Sequence, residues 1–146
     1  MISKRDSKEK NIGIDRSERQ IKSLKDAEFL KEGIIDLNLR LNFIEKIESL
    51  PKTLMFLDFS YNKISSTKGL SHLKNLAKLN LSHNNLSRIE LLDLPNLQEF
   101  DLSSNSLKNL MGIDRCRNLK KVIVTNNALN QLTKFISAVK VKFLKY

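Results

Sequence analysis

The chain has 146 residues, of which 40% are apolar, and a formal net charge of +10. This length suits one domain, and the apolar content is sufficient for a core, which argues against a wholly disordered chain. The start, MISKRDSKEK, lacks the apolar region of a signal peptide, and no stretch approaches the roughly 18 consecutive apolar residues that span a bilayer. A single cysteine, Cys116, excludes an internal disulfide. Together these features predict an intracellular protein of the cytoplasm or nucleus, with no membrane segment.

The positive charge is concentrated toward the C-terminus. Residues 1–33 contain nine Lys/Arg and seven Asp/Glu, residues 34–107 contain eight of each, and residues 108–146 contain nine Lys/Arg against Asp114 alone. The tightest basic cluster consists of Arg115, Arg117, Lys120 and Lys121. Such a basic end is either a solvated face or a surface for an acidic partner, protein or RNA.

The N-terminal region predicts a charged tail followed by a helix. Residues 1–11 are mostly polar or charged and are predicted to be disordered. Within residues 12–33, Ser17 and Gln20 have the spacing of a capping box, and Gly33 is suited to end a helix. The apolar stripe of this predicted helix is formed by Ile21, Leu24, Ala27 and Leu30. We therefore expect residues 12–33 to form a helical cap over the region that follows.

Five copies of one pattern, L-x-x-L-x-L-x-x-N-x-L, follow the predicted helix. They start at Ile34, Leu54, Leu76, Leu97 and Leu119, so successive starts are 20, 22, 21 and 22 residues apart. Every copy has an asparagine at its ninth position: Asn42, Asn62, Asn84, Asn105 and Asn127. Self-similarity at this period predicts a solenoid, in which each copy forms one turn.

The ninth-position asparagines have a structural interpretation. The fourth and sixth positions alternate as in a strand with one face inward, and the chain must then turn away from the sheet. Such a turn leaves backbone groups unpaired inside the solenoid, and an asparagine amide can both donate and accept hydrogen bonds. The pattern therefore predicts a ladder of stacked asparagines that connects neighbouring turns.

The segments between copies have a different period. Apolar residues recur every three residues there, as at Leu107, Leu110, Ile113 and Cys116. This is the period of a 3₁₀ turn and is close to that of a short helix, which is stable only when it packs against its neighbours. Because Cys116 belongs to this apolar series, we interpret it as a small core residue and not as a nucleophile.

These copies resemble the leucine-rich-repeat family, whose core motif each matches with the usual Ile, Val and Phe exchanges. The resemblance covers residues 34–146, which hold five full repeats and a partial sixth strand with Val141, Leu144 and Tyr146 at the first, fourth and sixth positions. It implies an α/β solenoid, a right-handed superhelix with a parallel concave sheet, short 3₁₀ or helical convex segments and an N-terminal capping helix.

The repeat length of about 22 and the Leu/Ile-rich returns resemble one intracellular subfamily of these proteins. Pro51 and Pro95, which come just before strands, fit that subfamily as well. It includes regulatory subunits of protein phosphatase 1 and axonemal and spliceosomal proteins. The resemblance implies a non-enzymatic scaffold or regulatory subunit whose partner is a protein, with a phosphatase or a cytoskeletal component as the expected class.

The outward positions of the predicted sheet define the candidate partner-binding face. The third positions are Asp36, Phe56, Lys78, Glu99 and Lys121. The fifth positions are Asn38, Asp58, Asn80, Asp101 and Ile123, and the seventh are Arg40, Ser60, Ser82, Ser103 and Thr125. This face has a flat area of only about 360 Å², whereas a standard interface buries about 800 Å² per partner. One rim or the basic end is therefore expected to contribute.

Nothing in the sequence singles out a catalytic site, a cofactor, a metal or a small-molecule substrate. There is no phosphate-binding glycine motif, and His72 and His83 fall in different parts of a repeat with no cysteine cluster near them. The alternative to a protein-binding scaffold is a ribonucleoprotein subunit that contacts RNA through the basic end. No aromatic residues interleave with the basic cluster, however, and base stacking usually accompanies single-stranded RNA binding.

Overall fold

The computed structural model describes residues 12–130 and the backbone of residues 142–144. Within these residues, seven parallel strands form one sheet in chain order. They are β1 (Ile12–Asp15), β2 (Ile34–Asn38), β3 (Phe56–Asp58), β4 (Lys78–Asn80), β5 (Glu99–Asp101), β6 (Lys121–Ile123) and β7 (Lys142–Leu144). Equivalent positions of successive copies pair with one another, as Leu57 does with Leu79. The predicted solenoid with a parallel sheet is therefore confirmed.

The core is built from the apolar positions of the repeated pattern. The first, fourth and sixth residues of all five copies are at most 5% exposed, and Phe59 and Phe100 are the largest of the fully buried side chains. Each buried Leu or Phe contributes roughly 1.5–3 kcal/mol relative to an exposed one. The apolar residues of one turn lie between those of its two neighbours, so the turns form one continuous core.

The convex segments are chains of single turns, and the helical or 3₁₀ form expected there is wrong for residues 12–130. In one segment Leu70 N donates to Thr67 O, Leu73 N to Leu70 O and Leu76 N to Leu73 O. The predicted spacing of three residues is thus present. A 3₁₀ helix, however, has such a hydrogen bond at consecutive residues, and here it occurs only at every third residue. A reason lies in the packing, because strands stack about 4.8 Å apart whereas a helix needs a width of about 10 Å.

The predicted N-terminal capping helix is also wrong. Residues Ile12–Asp15 form strand β1, which pairs with β2 so that Ile14 lies beside Leu37. Within residues 16–33 the structure has turns and no helix. Leu24, assigned to the helical stripe, is fully buried in the common core instead. The segment is an additional, degenerate turn of the solenoid.

This degenerate turn forms a polar end to the described core. Arg16 stands where the other turns have a sixth-position Leu, Phe or Val, and its guanidinium lies 5.3 Å from the centre of the Phe29 ring. Arg19 stands where the others have asparagine. The amide oxygen of Asn42 accepts the usual ladder bond from Ile21 N and an additional hydrogen bond from the N–H group of Arg19. A strand with charged substitutions thus takes the place of the predicted helix.

The partial sixth strand of the predicted repeats is β7. Its register differs from the expected one by a single residue, because Phe143, and not Leu144, pairs with the fourth-position Val122. The predicted disordered tail, residues 1–11, lies outside the described residues, as do residues 131–141. In the part of the chain that the structure describes, no helix is long and apolar enough to cross a membrane.

Candidate partner-binding surfaces

The ninth-position asparagines connect each turn to the one before it. The Oδ1 atom of Asn84 accepts a hydrogen bond from Ile64 N at 2.9 Å, and its Nδ2 group donates toward Phe59 O, Leu81 O and Ser82 O at 2.9–3.2 Å. The arrangement recurs at Asn42, Asn62, Asn105 and Asn127. These amides satisfy backbone groups, so they belong to the frame that carries any binding surface.

A second row of asparagines, which sequence reasoning missed, lies at the opposite end of the strands. Asn75, Asn96 and Asn118 each immediately precede the first residue of a copy. Their Nδ2 groups donate to Lys52 O, Lys74 O and Pro95 O at 3.2, 2.8 and 2.7 Å respectively. The available signal was the recurring Asn-Leu pair. Next to this row, Ile35, Met55 and Ala77 help to line a groove of about 450 Å³.

The fifth-position residues, predicted to face a partner, also close the turns at the strand ends. Asp58 Oδ1 accepts a hydrogen bond from Ser60 N at 2.7 Å, and Asn80 Oδ1 accepts one from Ser82 N at 3.0 Å. Asn80 Nδ2 donates in turn to Asp58 Oδ2 at 3.3 Å. Asn38 and Asp101 accept the equivalent bonds from Arg40 N and Ser103 N. An Asp or Asn two residues before a turn was the signal for this role.

The seventh positions do not all point outward, as had been expected. Ser60 is fully buried and Ser82 is 6% exposed, whereas Arg40 is exposed. The Ser60 hydroxyl has no hydrogen-bond partner among the described residues. The small Ser60 and Ser82 side chains are thus enclosed by the fold, whereas the long side chain of Arg40 reaches the surface.

The third-position side chains make the fewest bonds to the rest of the described residues. Lys78 Nζ lies 3.1 Å from Glu99 Oε1, and both side chains are about half exposed. Asp36, Phe56 and Lys121 make no side-chain hydrogen bond within the described residues. Together with the fifth-position residues Asp58, Asn80, Asp101 and Ile123, this row lines a shallow concave groove of about 350 Å³.

A cluster of aromatic and basic side chains lies on the rim where β2, β3 and β4 end. We call it the aromatic rim, and it consists of Arg40, Leu41, Phe43, Tyr61, Lys63 and His83. The Tyr61 and His83 rings stack with centroids 4.0 Å apart and an interplanar angle of 10°. The Arg40 guanidinium lies 4.5 Å from the Tyr61 centroid, and Lys63 Nζ lies 5.2 Å from the Phe43 centroid. Sequence reasoning did not select this cluster, because most of its members occupy unspecified positions of the pattern.

The backbone of the rim explains why these side chains project outward. The eighth residue of each copy is in the left-handed region, with φ between 52° and 55° although none is glycine. These residues are Leu41, Tyr61, His83, Ser104 and Asn126. Each such residue costs roughly 1–2 kcal/mol, which the surrounding core and asparagine ladder offset. Leu41 and Tyr61 are each 38% exposed as a result.

The predicted basic cluster is divided among different sides of the solenoid. Arg115 and Arg117 are exposed in a convex segment on either side of the buried Cys116. Lys120 Nζ donates to Gln98 Oε1 at 2.9 Å, and Lys121 lies in β6 beside the concave groove. The four residues are close in sequence, but Arg115 and Arg117 belong to the convex segment whereas Lys121 belongs to the concave sheet.

The titratable groups Cys116, Asp93 and His72 all contact parts of the fold. Burial raises the pKa of the Cys116 thiol, which therefore stays protonated at neutral pH. The hydrogen bond from Lys74 lowers the pKa of Asp93, and the positive charges of Arg115 and Arg117 lower it further. His72 Nε2 lies 2.9 Å from Leu50 O. Within residues 12–130, no group of three or more His, Cys, Asp or Glu residues is arranged to hold a metal ion.

The comparisons with known proteins agree with this geometry. A family model described as "Leucine Rich repeats (2 copies)" matches residues 74–115. The chain is similar to TLR13 in its complex with the single-stranded RNA ssRNA13, with a TM-score of 0.72 and 22% identity over 82% of this chain and 18% of that one. It is similar to internalin C2 of Listeria monocytogenes, with a TM-score of 0.67 and 18% identity over 87% of this chain and 67% of that one. No curated protein matches the chain by sequence.

A third similar structure is a leucine-rich-repeat protein of Leptospira interrogans, with a TM-score of 0.53 and 21% identity over 77% of this chain and 37% of that one. Residues 74–115 match the leucine-rich-repeat family model, and these structures show that the chain shares the leucine-rich-repeat fold. It spans less than a fifth of the TLR13 chain. The fold generally mediates protein–protein interaction, and its members are typically binding scaffolds and not enzymes. Membership of the phosphatase-regulator subfamily stays a prediction.

Proposed function

We propose that this protein is a non-enzymatic interaction scaffold or regulatory subunit that binds a protein partner on its concave face. The observation that carries the proposal is that the third-position and fifth-position side chains of the sheet have different roles. The fifth-position Asp and Asn side chains hold the strand-end turns, whereas third-position Lys78 and Lys121 make no side-chain hydrogen bond to the backbone of residues 12–130, and the apolar Phe56 ring beside them is half-buried. Side chains that the fold does not need are available to a partner.

The chemistry of this row supports a protein as the partner. Asp36, Phe56, Lys78, Glu99 and Lys121 present an aromatic ring among alternating charges, which suits a mixed protein surface. Phe56 is half-buried in the groove and is the expected anchor. The buried single thiol of Cys116 supports a reducing compartment, so we also propose the cytoplasm or nucleus as the site of action. The phosphatase or cytoskeletal identity of the partner rests on the sequence resemblance alone.

The test uses affinity capture from native cell extract with two matched triple variants. The concave variant is Phe56→Ala/Lys78→Ala/Lys121→Ala, and the convex control is Leu91→Ala/Lys52→Ala/Lys68→Ala. Leu91, Lys52 and Lys68 are all exposed, so both variants remove one apolar and two basic side chains. Asp58 and Asp101 stay intact because they close strand-end turns.

The expected result is a partner that the wild type and the convex control capture and the concave variant loses. Direct calorimetry with the purified partner should then show at least a tenfold weaker Kd for the concave variant, or about 1.4 kcal/mol. A partner that binds the concave variant with unchanged affinity would refute concave recognition.

RNA binding is a second candidate function. It is supported by the net charge of +10 and by the similarity in fold to a protein whose structure is a complex with single-stranded RNA. The division of Arg115, Arg117, Lys120 and Lys121 among different sides of the solenoid argues against a single RNA site there. Titration of a fluorescent 12-nucleotide RNA at several salt concentrations tests the idea. Affinity through phosphate contacts should fall log-linearly with salt and should weaken in an Arg115→Ala/Arg117→Ala variant.

A further inference from the structure

The aromatic rim is confined to one part of the solenoid. The eighth and tenth positions of the first three copies hold Leu41 and Phe43, Tyr61 and Lys63, and His83 and Asn85. The same positions of the last two copies hold Ser104 and Ser106, and Asn126 and Ala128. The backbone has the same left-handed conformation at the eighth position throughout. The difference between the two parts of the rim is therefore one of side chains only.

Large apolar side chains are exposed in the aromatic rim. Phe43 is 44% exposed, and Leu41 and Tyr61 are each 38% exposed, next to the exposed ring of His83. They border a groove of about 360 Å³ that Lys63 and the edges of two ladder asparagines complete. A second groove of about 580 Å³ shares Phe43 and Lys63 with the first. A cluster of exposed apolar side chains that is bordered by polar groups indicates an interaction surface.

The charges of the rim select an acidic partner. Ion pairs among the described residues involve Lys74, Lys78 and Arg88, so Arg40 and Lys63 have no carboxylate oxygen within 4.0 Å there. Both cations lie over ring faces, and neither side chain donates a hydrogen bond to another residue between 12 and 130. Other charged residues nearby are Lys22 and Glu45 in the second groove, Arg19, whose N–H donates to Asn42 Oδ1, and Glu18, whose N–H donates to Arg40 O. A carboxylate that enters this site would form charge-assisted hydrogen bonds.

The stacking in the rim favours a peptide over a nucleobase. Tyr61 stands between Arg40 of the preceding copy and His83 of the following copy, at 4.5 and 4.0 Å from its centroid. Since both faces of the Tyr61 ring are covered, a base cannot stack on it without displacing a neighbour. The ring edges and the Leu41 and Phe43 side chains stay accessible, which suits an inserted aliphatic or aromatic side chain.

We propose that the aromatic rim binds an extended acidic segment of a protein partner. One apolar side chain of the segment occupies the groove bordered by Leu41, Phe43 and Tyr61, and flanking carboxylates pair with Arg40 and Lys63. The inference takes from the proposed function only that the partner is a protein, and it concerns a surface outside the concave groove.

The experiment is a selection of random 16-residue peptides, displayed on phage, against the full chain. Enriched peptides should contain an apolar residue next to at least two acidic residues. Two rim variants and one control are then compared with the wild type by fluorescence anisotropy, using the most enriched peptide as the probe. The rim variants are Phe43→Ala and Arg40→Glu/Lys63→Glu, and the control is Ser106→Glu/Ala128→Glu, which introduces the same acidic residues at tenth positions of the later copies. Thermal unfolding establishes that every variant is folded.

The peptide should bind Phe43→Ala at least tenfold more weakly and the charge-reversed variant more weakly still, with the control within twofold of the wild type. A selection repeated on Arg40→Glu/Lys63→Glu should enrich basic peptides instead. Peptides without acidic enrichment, or binding that survives charge reversal, would overturn the proposal. A 12-nucleotide RNA that binds in a Phe43-dependent manner, while no acidic peptide is enriched, would also overturn it in favour of nucleic acid.

The same peptide is tested on the concave variant Phe56→Ala/Lys78→Ala/Lys121→Ala. Unchanged binding there, with loss in the rim variants, supports the rim independently of the concave face. Loss in the concave variant with retention in both rim variants would refute the rim site and leave the proposed function intact.

Discussion

The polar side chains of this solenoid are of two kinds: those that bond to a neighbouring turn inside the fold, and those that make contacts only at the surface. Asn84, Asp58 and Glu90 direct their side chains to the backbone or side chains of another turn. Tyr61 lies in the same repeat as Asp58, and Glu99 lies in the repeat after that of Asn84, but the side chains of both make only surface contacts with other side chains. The comparison teaches that sequence neighbours in a repeat can have opposite roles, one residue holding the fold and the next presenting a surface. Five substitutions test this division, beginning with the largest expected effect.

Asn84→Ala should have the largest effect on stability. It removes the acceptor of Ile64 N and the donor to three carbonyl oxygens, all inside the solenoid. Leaving such groups unpaired costs about 3 kcal/mol in the free energy of unfolding, which urea denaturation measures. An unchanged denaturation midpoint would show that the ladder does not stabilise the turns.

Glu90→Gln should destabilise by about 1–2 kcal/mol at pH 7. Partial burial opposes ionisation of Glu90, but hydrogen bonds from the Thr67 hydroxyl and N–H and from the Ser66 hydroxyl outweigh it and lower the pKa to about 2 from 4.5. A lowered pKa means that the carboxylate stabilises the fold fully above pH 4.5 and loses this effect as the pH falls toward 2. Unfolding measured between pH 7 and 2 should show the difference between Gln and wild type shrinking in that window, and a constant difference would argue against the ionised form.

Asp58→Ala and Glu99→Ala form a matched pair on the concave sheet. Asp58 closes the turn at Ser60 N and accepts from Asn80, so its loss should cost about 1 kcal/mol. Glu99 forms a half-exposed ion pair with Lys78, which is worth about 0.5 kcal/mol or less. Denaturant unfolding measures the loss of unfolding free energy in both variants. Equal losses would mean that the third-position side chains stabilise the fold as much as the fifth-position side chains do.

Tyr61→Asn should have the smallest effect on stability, within about 0.5 kcal/mol. The substitution removes an exposed ring that stacks on His83, but asparagine adopts the left-handed conformation of this position more readily than tyrosine. Calorimetric Tm values of the two proteins measure the net effect. A loss of 2 kcal/mol or more would place Tyr61 among the residues that hold the fold.

The sequence predicted the sheet well because the determining pattern is local. The first, fourth and sixth positions of each copy define one inward face, and a turn whose neighbours carry the same face can bury it only by stacking in chain order. The strands at Phe56–Asp58 and Lys78–Asn80 follow directly from this. The five ninth-position asparagines were identified in the same way.

The N-terminal turn shows where a local pattern fails. Ile21, Leu24 and Ala27 are spaced three apart, which fits a helical stripe as well as a solenoid turn. The decisive residues depart from the pattern, because Arg16 and Arg19 replace the apolar residue and the asparagine. Only pairing with β2, some 22 residues later in the chain, excludes the helix.

By itself the sequence determined the repeat, its inward leucines and the positions of strands β2 to β6, because hydrophobic burial within one turn needs no knowledge of the others. The tertiary structure alone decided which outward side chains meet. Arg40, Tyr61 and His83 are about 20 residues apart and come together only because turns stack at the spacing of a parallel sheet. The same stacking separates Arg117 from Lys121, since the intervening chain passes from the convex side into a strand.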